Sequence, residues 1–271
     1  TTEIYTLSLH DALPIYDEGA YETIIFDVSR VRPEGAPLKQ FGGTASGPLP
    51  LAQMLIDTAE ILNRCHRECR PLNPLDAMEI DHSIAKCVVS GGVRRSARMS
   101  ILPWNDPHIH DFIACKRDPS KHWSTNISVA VDDNFFDRLS ENDPKAKAIL
   151  EEICAGMLAN GEPGIWNHSY SQEGELGVVD STNPCGEIPL EEWEACNLGH
   201  INLDYFAPKR KGESFRLEEA KEAAHLMARF LLRATFGDIN DERSRNIMDK
   251  NRRIGVGITG VQGMLAKLGI R

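Results

Sequence analysis

Eight consecutive residues, Ser181-Thr182-Asn183-Pro184-Cys185-Gly186-Glu187-Ile188, set an amide, a thiol and a carboxylate at alternate positions. In an extended backbone, residues two apart point to one side, so Asn183, Cys185 and Glu187 would share a face. Pro184 fixes its own φ and Gly186 has no side chain, which stiffens the segment and lets a ligand approach its backbone. The three groups suit a sugar: an amide donates to and accepts from hydroxyls, a carboxylate can act as a general base on one, and a thiol can react. The same residues also fit a buried cysteine in a Pro/Gly turn with two solvated neighbours. Cys196 follows eleven residues after Cys185, in Ala195-Cys196-Asn197-Leu198-Gly199, and by itself fits a small core residue. Upstream, Ser90-Gly91-Gly92-Val93-Arg94-Arg95 couples two arginines to a flexible glycine pair. Their planar forks match phosphates and base edges, although a solvated basic turn would read the same.

Two other motifs weigh less. Gly255-Val256-Gly257-Ile258-Thr259-Gly260 fits the G-x-G-x-x-G pattern of a nicotinamide-dependent dehydrogenase, but the run before it, Asn251-Arg252-Arg253-Ile254, is too polar and short for a buried first strand. Cys65-His66-x-x-Cys69 could suggest a metal site, yet its spacing falls on a helix and no second ligand pair follows. No metal is expected.

The elements that must carry these groups are legible from periodicity. A strand is expected at Tyr21 to Ser29, followed by a Pro/Gly-rich loop, VRPEGAPLKQFGGTASGP. Apolar residues at helical spacing predict helices from about Pro48 to Cys69, on to about Cys87, near 107 to 116, over 132 to 157, over 217 to 236 and over 261 to 268. Strands are expected at Ala97 to Leu102, Asn126 to Val131 and Arg253 to Ile258, with a further apolar stretch at Gly164-Ile165-Trp166. Strands alternating with helices mean an α/β fold, and the absence of repeats or low-complexity linkers favours one domain.

Composition bounds the function. The 271 residues are 41% hydrophobic and 26% charged, an ordinary globular balance with enough apolar residues for a core. No run approaches the roughly 20 apolar residues of a membrane helix. The net charge of −10 disfavours nucleic acid and anionic membrane as partners, so an anionic substrate needs a local basic cluster. Seven scattered cysteines without a secretion signal read as reduced thiols in the cytoplasm. Residues 1–15, TTEIYTLSLHDALPI, resemble a translated sequencing adapter; removing Glu3 and Asp11 with them takes the charge from −10 to −8.

The segment STNPCGEIPLEEWEACNLGHINL is similar to the active-site signature of ribonucleotide reductases. VRPEGAPLKQFGGTASGP and CVVSGGVRRSARMSIL resemble the segments around that family's allosteric specificity site, so the resemblance runs from about Asp27 to Gly269. It implies that residues 16–271 are an internal fragment of the catalytic ten-stranded α/β barrel, with N- and C-terminal parts missing and the fragment itself inactive. By position, Cys185 would be the thiyl radical that removes hydrogen from C3′ of the ribose, Glu187 the base for the 3′-hydroxyl, and Asn183 a sugar ligand. Cys196 would be one half of the dithiol that becomes a disulfide; its partner belongs on an early barrel strand upstream. Gly91, Gly92, Arg94, Arg95 and Lys39 would contact a dNTP or ATP specificity effector. The Pro and Gly of Asn-Pro-Cys-Gly-Glu, with Arg94-Arg95-Ser96, resemble the adenosylcobalamin-dependent class more than the class served by a separate metal-containing radical subunit. A thioredoxin- or glutaredoxin-like reductant and a monomeric or homodimeric enzyme follow from the resemblance, while the choice of diphosphate or triphosphate substrate stays open. A regulatory module that kept the fold and lost its chemistry is disfavoured by the intact Asn183, Cys185 and Glu187.

Overall fold

A computed structural model of the chain describes residues 25–38, 42–92, 96–210 and 212–270. They divide into two units, Thr1–Asn167 and His168–Arg271.

In the first unit, helix α1 (Leu49–Arg67) and helix α2 (Pro74–Ser90) pack on each other. Asn73 starts α2 through a reciprocal capping box: its side chain accepts from Asp76 N, and the Asp76 carboxylate accepts from Asn73 N. The same buried carboxylate takes Arg64 at 2.7 Å, the Cys65 thiol at 3.4 Å and Arg70, pinning the end of α1 to the start of α2. A three-stranded parallel sheet follows, in order β1 (Arg98–Pro103), β2 (Thr125–Val131), β3 (Gly164–Asn167), with Ile101 opposite Ser128 and Ser128 opposite Gly164. Parallel strands need crossovers. Helix α3 (Ile109–Ala114) lies in the first, and α4 (Asp133–Ser140) and α5 (Pro144–Asn160) lie in the second. The central strand β2 is buried at every position except Asn126, which is why it reads as an apolar run. Ile127, Val129 and Val131 pack with Phe112, Phe135, Ile149 and Ile153 in the core.

Two expectations are corrected here. Ile25 to Val28 form no strand: Ile25 is 85% exposed, and Asp27 accepts from Ser29 N at 2.8 Å, a local turn that competes with any ladder. Residues 21–24 lie outside the described residues. The helix expected over 132 to 157 is two helices, because Asn142 takes φ 64 and Asp143 caps α5 by accepting from Ala146 N, with Pro144 at the first turn.

The second unit begins with the short helix α6 (His168–Ser171) and a hairpin of β4 (Ser181–Thr182) and β5 (Pro189–Leu190). Then comes β6 (Asn197–Asn202), a 3₁₀ turn at Leu203–Phe206, helices α7 (Leu217–Ala234) and α8 (Glu242–Asn251), β7 (Ile254–Thr259) and α9 (Val261–Leu268). Strands β6 and β7 pair in parallel from Asn197 opposite Ile254 to Asn202 opposite Thr259, and α7 packs on both. A Cβ on Gly199 would lie 2.3 Å from the Met227 sulfur, so glycine is what lets α7 settle on β6.

Candidate active site

The hairpin β4–β5 presents the six residues Asn183 to Ile188 as its loop. They are not extended. Gly186 N donates to Asn183 O at 2.9 Å, closing a turn with Pro184 second and Gly186 at φ 84, a backbone conformation that favours glycine. Asn183 N donates to Ile188 O at 3.3 Å, and Ile188 N returns a bond to the Asn183 side-chain oxygen at 3.1 Å. Thr182 Oγ1 adds a bond to Asn183 O at 3.0 Å. The alternation expected of an extended segment is therefore replaced by a braced turn. Cys185 and Glu187 stand exposed on it, while Asn183 is half-buried at its base with its oxygen engaged and its Nδ2 available to donate.

Cys196 is half-buried and immediately precedes β6. Burial pushes its thiol up, and the carboxylates of Glu187 and Glu194 push the same way, while Arg253 acts against them. Glu187 of the loop is thus an electrostatic neighbour of Cys196. Ile188 ties the loop to the sheet: a Cβ on Gly255 of β7 would meet Ile188 Cδ1 at 2.6 Å and Leu198 Cδ2 at 2.5 Å.

An enclosed polar network holds the stretch between loop and strand. Glu194, its side chain fully buried, takes Arg253 Nε at 2.9 Å, Asn251 Nδ2 at 3.0 Å and the backbone N–H of Glu191 at 2.8 Å. Arg253 forks onto Glu175 at 3.1 and 2.6 Å, and Glu191 takes Asn251 and Lys250. The hydrogen bonds that Arg253 donates, first to Glu175 and then to Glu194, hold its guanidinium protonated more firmly than usual, and the Asn251 bond leads those that hold Glu191 below the usual carboxylate range. None of this network was foreseen from the sequence; the polar run before β7 was its one visible trace.

The glycines of the G-x-G-x-x-G run make no phosphate cradle. Gly255 and Gly257 lie inside β7 under Leu198, Ile188 and His200, and Gly260, at φ 72, caps α9 against Asn202 and Asp204. Of the expected effector loop, Gly91 caps α2 and Gly92 takes φ 66; Arg94, Arg95 and Lys39 lie outside the described residues. Cys65 is buried and Cys69 exposed, and no cluster of three or more His, Cys, Asp or Glu suited to a metal occurs among the described residues.

Residues 70–145 and 141–271 match the family model described as ribonucleotide reductase, barrel domain. The chain belongs to the ribonucleotide reductase family. Residues 10–62 match a second model of that family, the B12-dependent ribonucleotide reductase insertion domain. Over 270 residues the chain is 50% identical to a protein of Mycobacterium phage D29 carrying the provisional name of an adenosylcobalamin-dependent ribonucleoside-triphosphate reductase, covering 94% of this chain and 39% of the relative. It is 39% identical over 265 residues to the adenosylcobalamin-dependent ribonucleoside-triphosphate reductase of Lactobacillus leichmannii, covering 92% and 33%. The chain thus spans 39% and 33% of the length of these two relatives. The crystal structure of a B12-dependent (class II) ribonucleotide reductase superposes with a TM-score of 0.68 at 38% identity over 91% of this chain and 33% of that one. A class Id reductase alpha subunit from Actinobacillus ureae, at 16% identity and a TM-score of 0.55 over 70% of this chain, shares the fold. The α/β expectation holds: helices accompany parallel strands in both units, and the chain matches a part of the reductase barrel fold.

Proposed function

We propose that the whole protein reduces ribonucleoside triphosphates to 2′-deoxyribonucleotides with adenosylcobalamin, and that this chain supplies the loop that attacks the ribose. The observation that carries the reading is the braced turn, which exposes Cys185 and Glu187 above a half-buried Asn183, with the Glu187 charge felt at Cys196. Cys185, as a thiyl radical, takes the hydrogen atom from C3′. Glu187 accepts the proton of the 3′-hydroxyl, and Asn183 Nδ2 donates to a sugar hydroxyl while its oxygen braces the loop. Cys196 and a second thiol supply two electrons and two hydrogens; the 2′-hydroxyl leaves as water and the two sulfurs become a disulfide. A dithiol protein of the thioredoxin or glutaredoxin type then reopens that bond by thiol exchange.

The residues present fit such a cofactor in one respect, since the Cys185 thiol is exposed at the tip of a turn where a radical carried outside the chain can reach it. When bound, adenosylcobalamin supplies a radical able to take a hydrogen atom from a thiol. The chain's part is to hold that thiol on a rigid turn and to keep base and reductant beside it. Gly91, Gly92, Arg94, Arg95 and Lys39 are assigned to relaying a dNTP or ATP effector, on the strength of the Gly-Gly hinge and the arginine forks. A cytoplasmic setting suits seven free cysteines. Among the described residues, no helix is long and apolar enough to cross a membrane.

The deciding experiment supplies the full-length protein with a ribonucleoside triphosphate, adenosylcobalamin and a dithiol, and no second subunit. Deoxynucleotide formation is expected. Turnover that ignores cobalamin and requires an added metal-containing subunit would favour the two-subunit class instead.

A further inference from the structure

Cys196 and Arg253 open neighbouring strands side by side. Asn197, the residue after the cysteine, pairs with Ile254, the residue after the arginine. The arginine does not point into solvent: its side chain is 16% exposed and is shared between Glu175, 19% exposed, and the fully buried Glu194. Exposed ion pairs contribute little, but an enclosed, forked one fixes geometry as well as charge. Glu194 stands two residues before Cys196, so the fork sets the path by which the chain enters β6. Gly177 belongs to the same construction, because a Cβ there would lie 2.3 Å from the Glu191 carboxylate that Asn251 and Lys250 hold.

The charges facing Cys196 come from three places: Glu187 on the loop, Glu194 on its own segment and Arg253 at the head of β7. Glu175, Glu191 and Lys250 lie one step further out through the network. Two carboxylates against one guanidinium leave the thiol on the unfavourable side for ionisation, with burial adding to them. Without Arg253 nothing described would oppose them.

We propose that Arg253 is a positioning residue for Cys196: its fork fixes the sulfur at the head of β6, and its charge offsets Glu187 and Glu194 so that the sulfur can be released as a thiolate. The proposal rests on the reading of Cys196 as half of the redox dithiol. When an incoming thiolate bonds to the partner sulfur, the S–S bond breaks and Cys196 takes the electron pair; a thiol of lower pKa leaves faster.

The test is site-resolved alkylation of the full-length protein with iodoacetamide between pH 7 and 9, read by peptide mass spectrometry. Arg253→Gln is expected to slow Cys196 by about three- to tenfold, the effect of half to one pKa unit. Glu194→Gln is expected to speed it, and Arg253→Lys to return most of the wild-type rate. Cys154, exposed and in the other unit, should keep its rate throughout. A purely mechanical tether predicts a different pattern, since Arg253→Gln and Glu194→Gln break the same contact and would both expose and speed the thiol. That pattern, or an unchanged Cys196 in both variants, overturns the proposal. Should Arg253→Gln fail to fold, Glu194→Gln and Arg253→Lys still decide it: a Cys196 no faster in the first, or several-fold slower in the second, refutes the charge role. Alkylation does not depend on turnover, so its failure is separable from failure of the reductase reading, which the cobalamin assay tests.

Discussion

The side-chain oxygen of Asn183 accepts the backbone N–H of Ile188 at 3.1 Å, across the mouth of the loop that carries Cys185. The oxygen of this amide thus braces the loop, while the proposed reaction gives its nitrogen the separate job of donating to the sugar. Asn183→Asp keeps the acceptor and is expected to cost less than about 0.5 kcal/mol, whereas Asn183→Ala loses the bond and should cost about 1 kcal/mol. Both lose the donor to the sugar, so both should lower deoxynucleotide formation by more than about tenfold. Denaturant melts run beside turnover assays check the split; equal stability of the two variants would remove the bracing role.

Packing of α7 on β6 yields a second prediction. Gly199→Ala would bring its Cβ to 2.3 Å from the Met227 sulfur and 3.3 Å from Leu231 Cδ1. Overpacking of this kind should cost about 1–3 kcal/mol. Met227→Ala in the same chain should recover part of that loss, because the flexible thioether is what the new methyl meets. A double-mutant cycle in urea measures the coupling, and additive single effects would show that the clash is relieved elsewhere.

How far the sequence revealed this architecture depends on the range of the interaction involved. Helices α1, α2 and α7 and strands β1, β2 and β7 were legible because apolar spacing reports burial locally. Helix α8 was not, since Met248 is its one buried residue; its single sign was Asp241, which caps it by accepting from Arg243 N and Ser244 N. The backbone of the loop was not legible, because the alternation of Asn183, Cys185 and Glu187 points to an extended segment while the turn-forming order Pro184 then Gly186 prevails. Arg253 and Glu175 are 78 positions apart, and no periodicity reports a pair at that distance.

Acid stability should hinge on Asp76. Burial alone would raise its pKa, but hydrogen bonds from Arg70, Asn73 N and Arg64 outweigh burial and hold the carboxyl well below its usual range. A depressed folded pKa gives stability that is complete above the unfolded value, near 3.9, and is lost as pH falls through the folded one. Asp76→Asn should therefore destabilise the protein at pH 7 by on the order of 3 kcal/mol, leaving two arginines without their shared carboxylate. The gap between variant and wild type should narrow steadily below about pH 4. Thermal melts at pH 7, 5 and 3 measure it, and a gap of constant size would remove the ion-pair explanation.

The two cysteines of the site should fail in different ways. In the proposed reaction Cys185 acts first, taking hydrogen from the ribose, so Cys185→Ser is expected to abolish every later event, including tritium release from a 3′-labelled substrate. Cys196, a half-buried thiol at the head of β6, acts afterwards in that proposal, its exchange chemistry completing the reduction. Cys196→Ser should still exchange the 3′-tritium but yield base release or inactivation in place of deoxynucleotide. The separation follows from placement: Cys185 stands exposed on a turn open to an outside radical, whereas Cys196 is set back among Glu187, Glu194 and Arg253, an environment that governs ionisation and not hydrogen-atom transfer. Tritium release and product analysis on the full-length enzyme distinguish the outcomes. Continued 3′-exchange in Cys185→Ser, or normal turnover of Cys196→Ser with a dithiol protein as reductant, would reverse the roles assigned to these two residues.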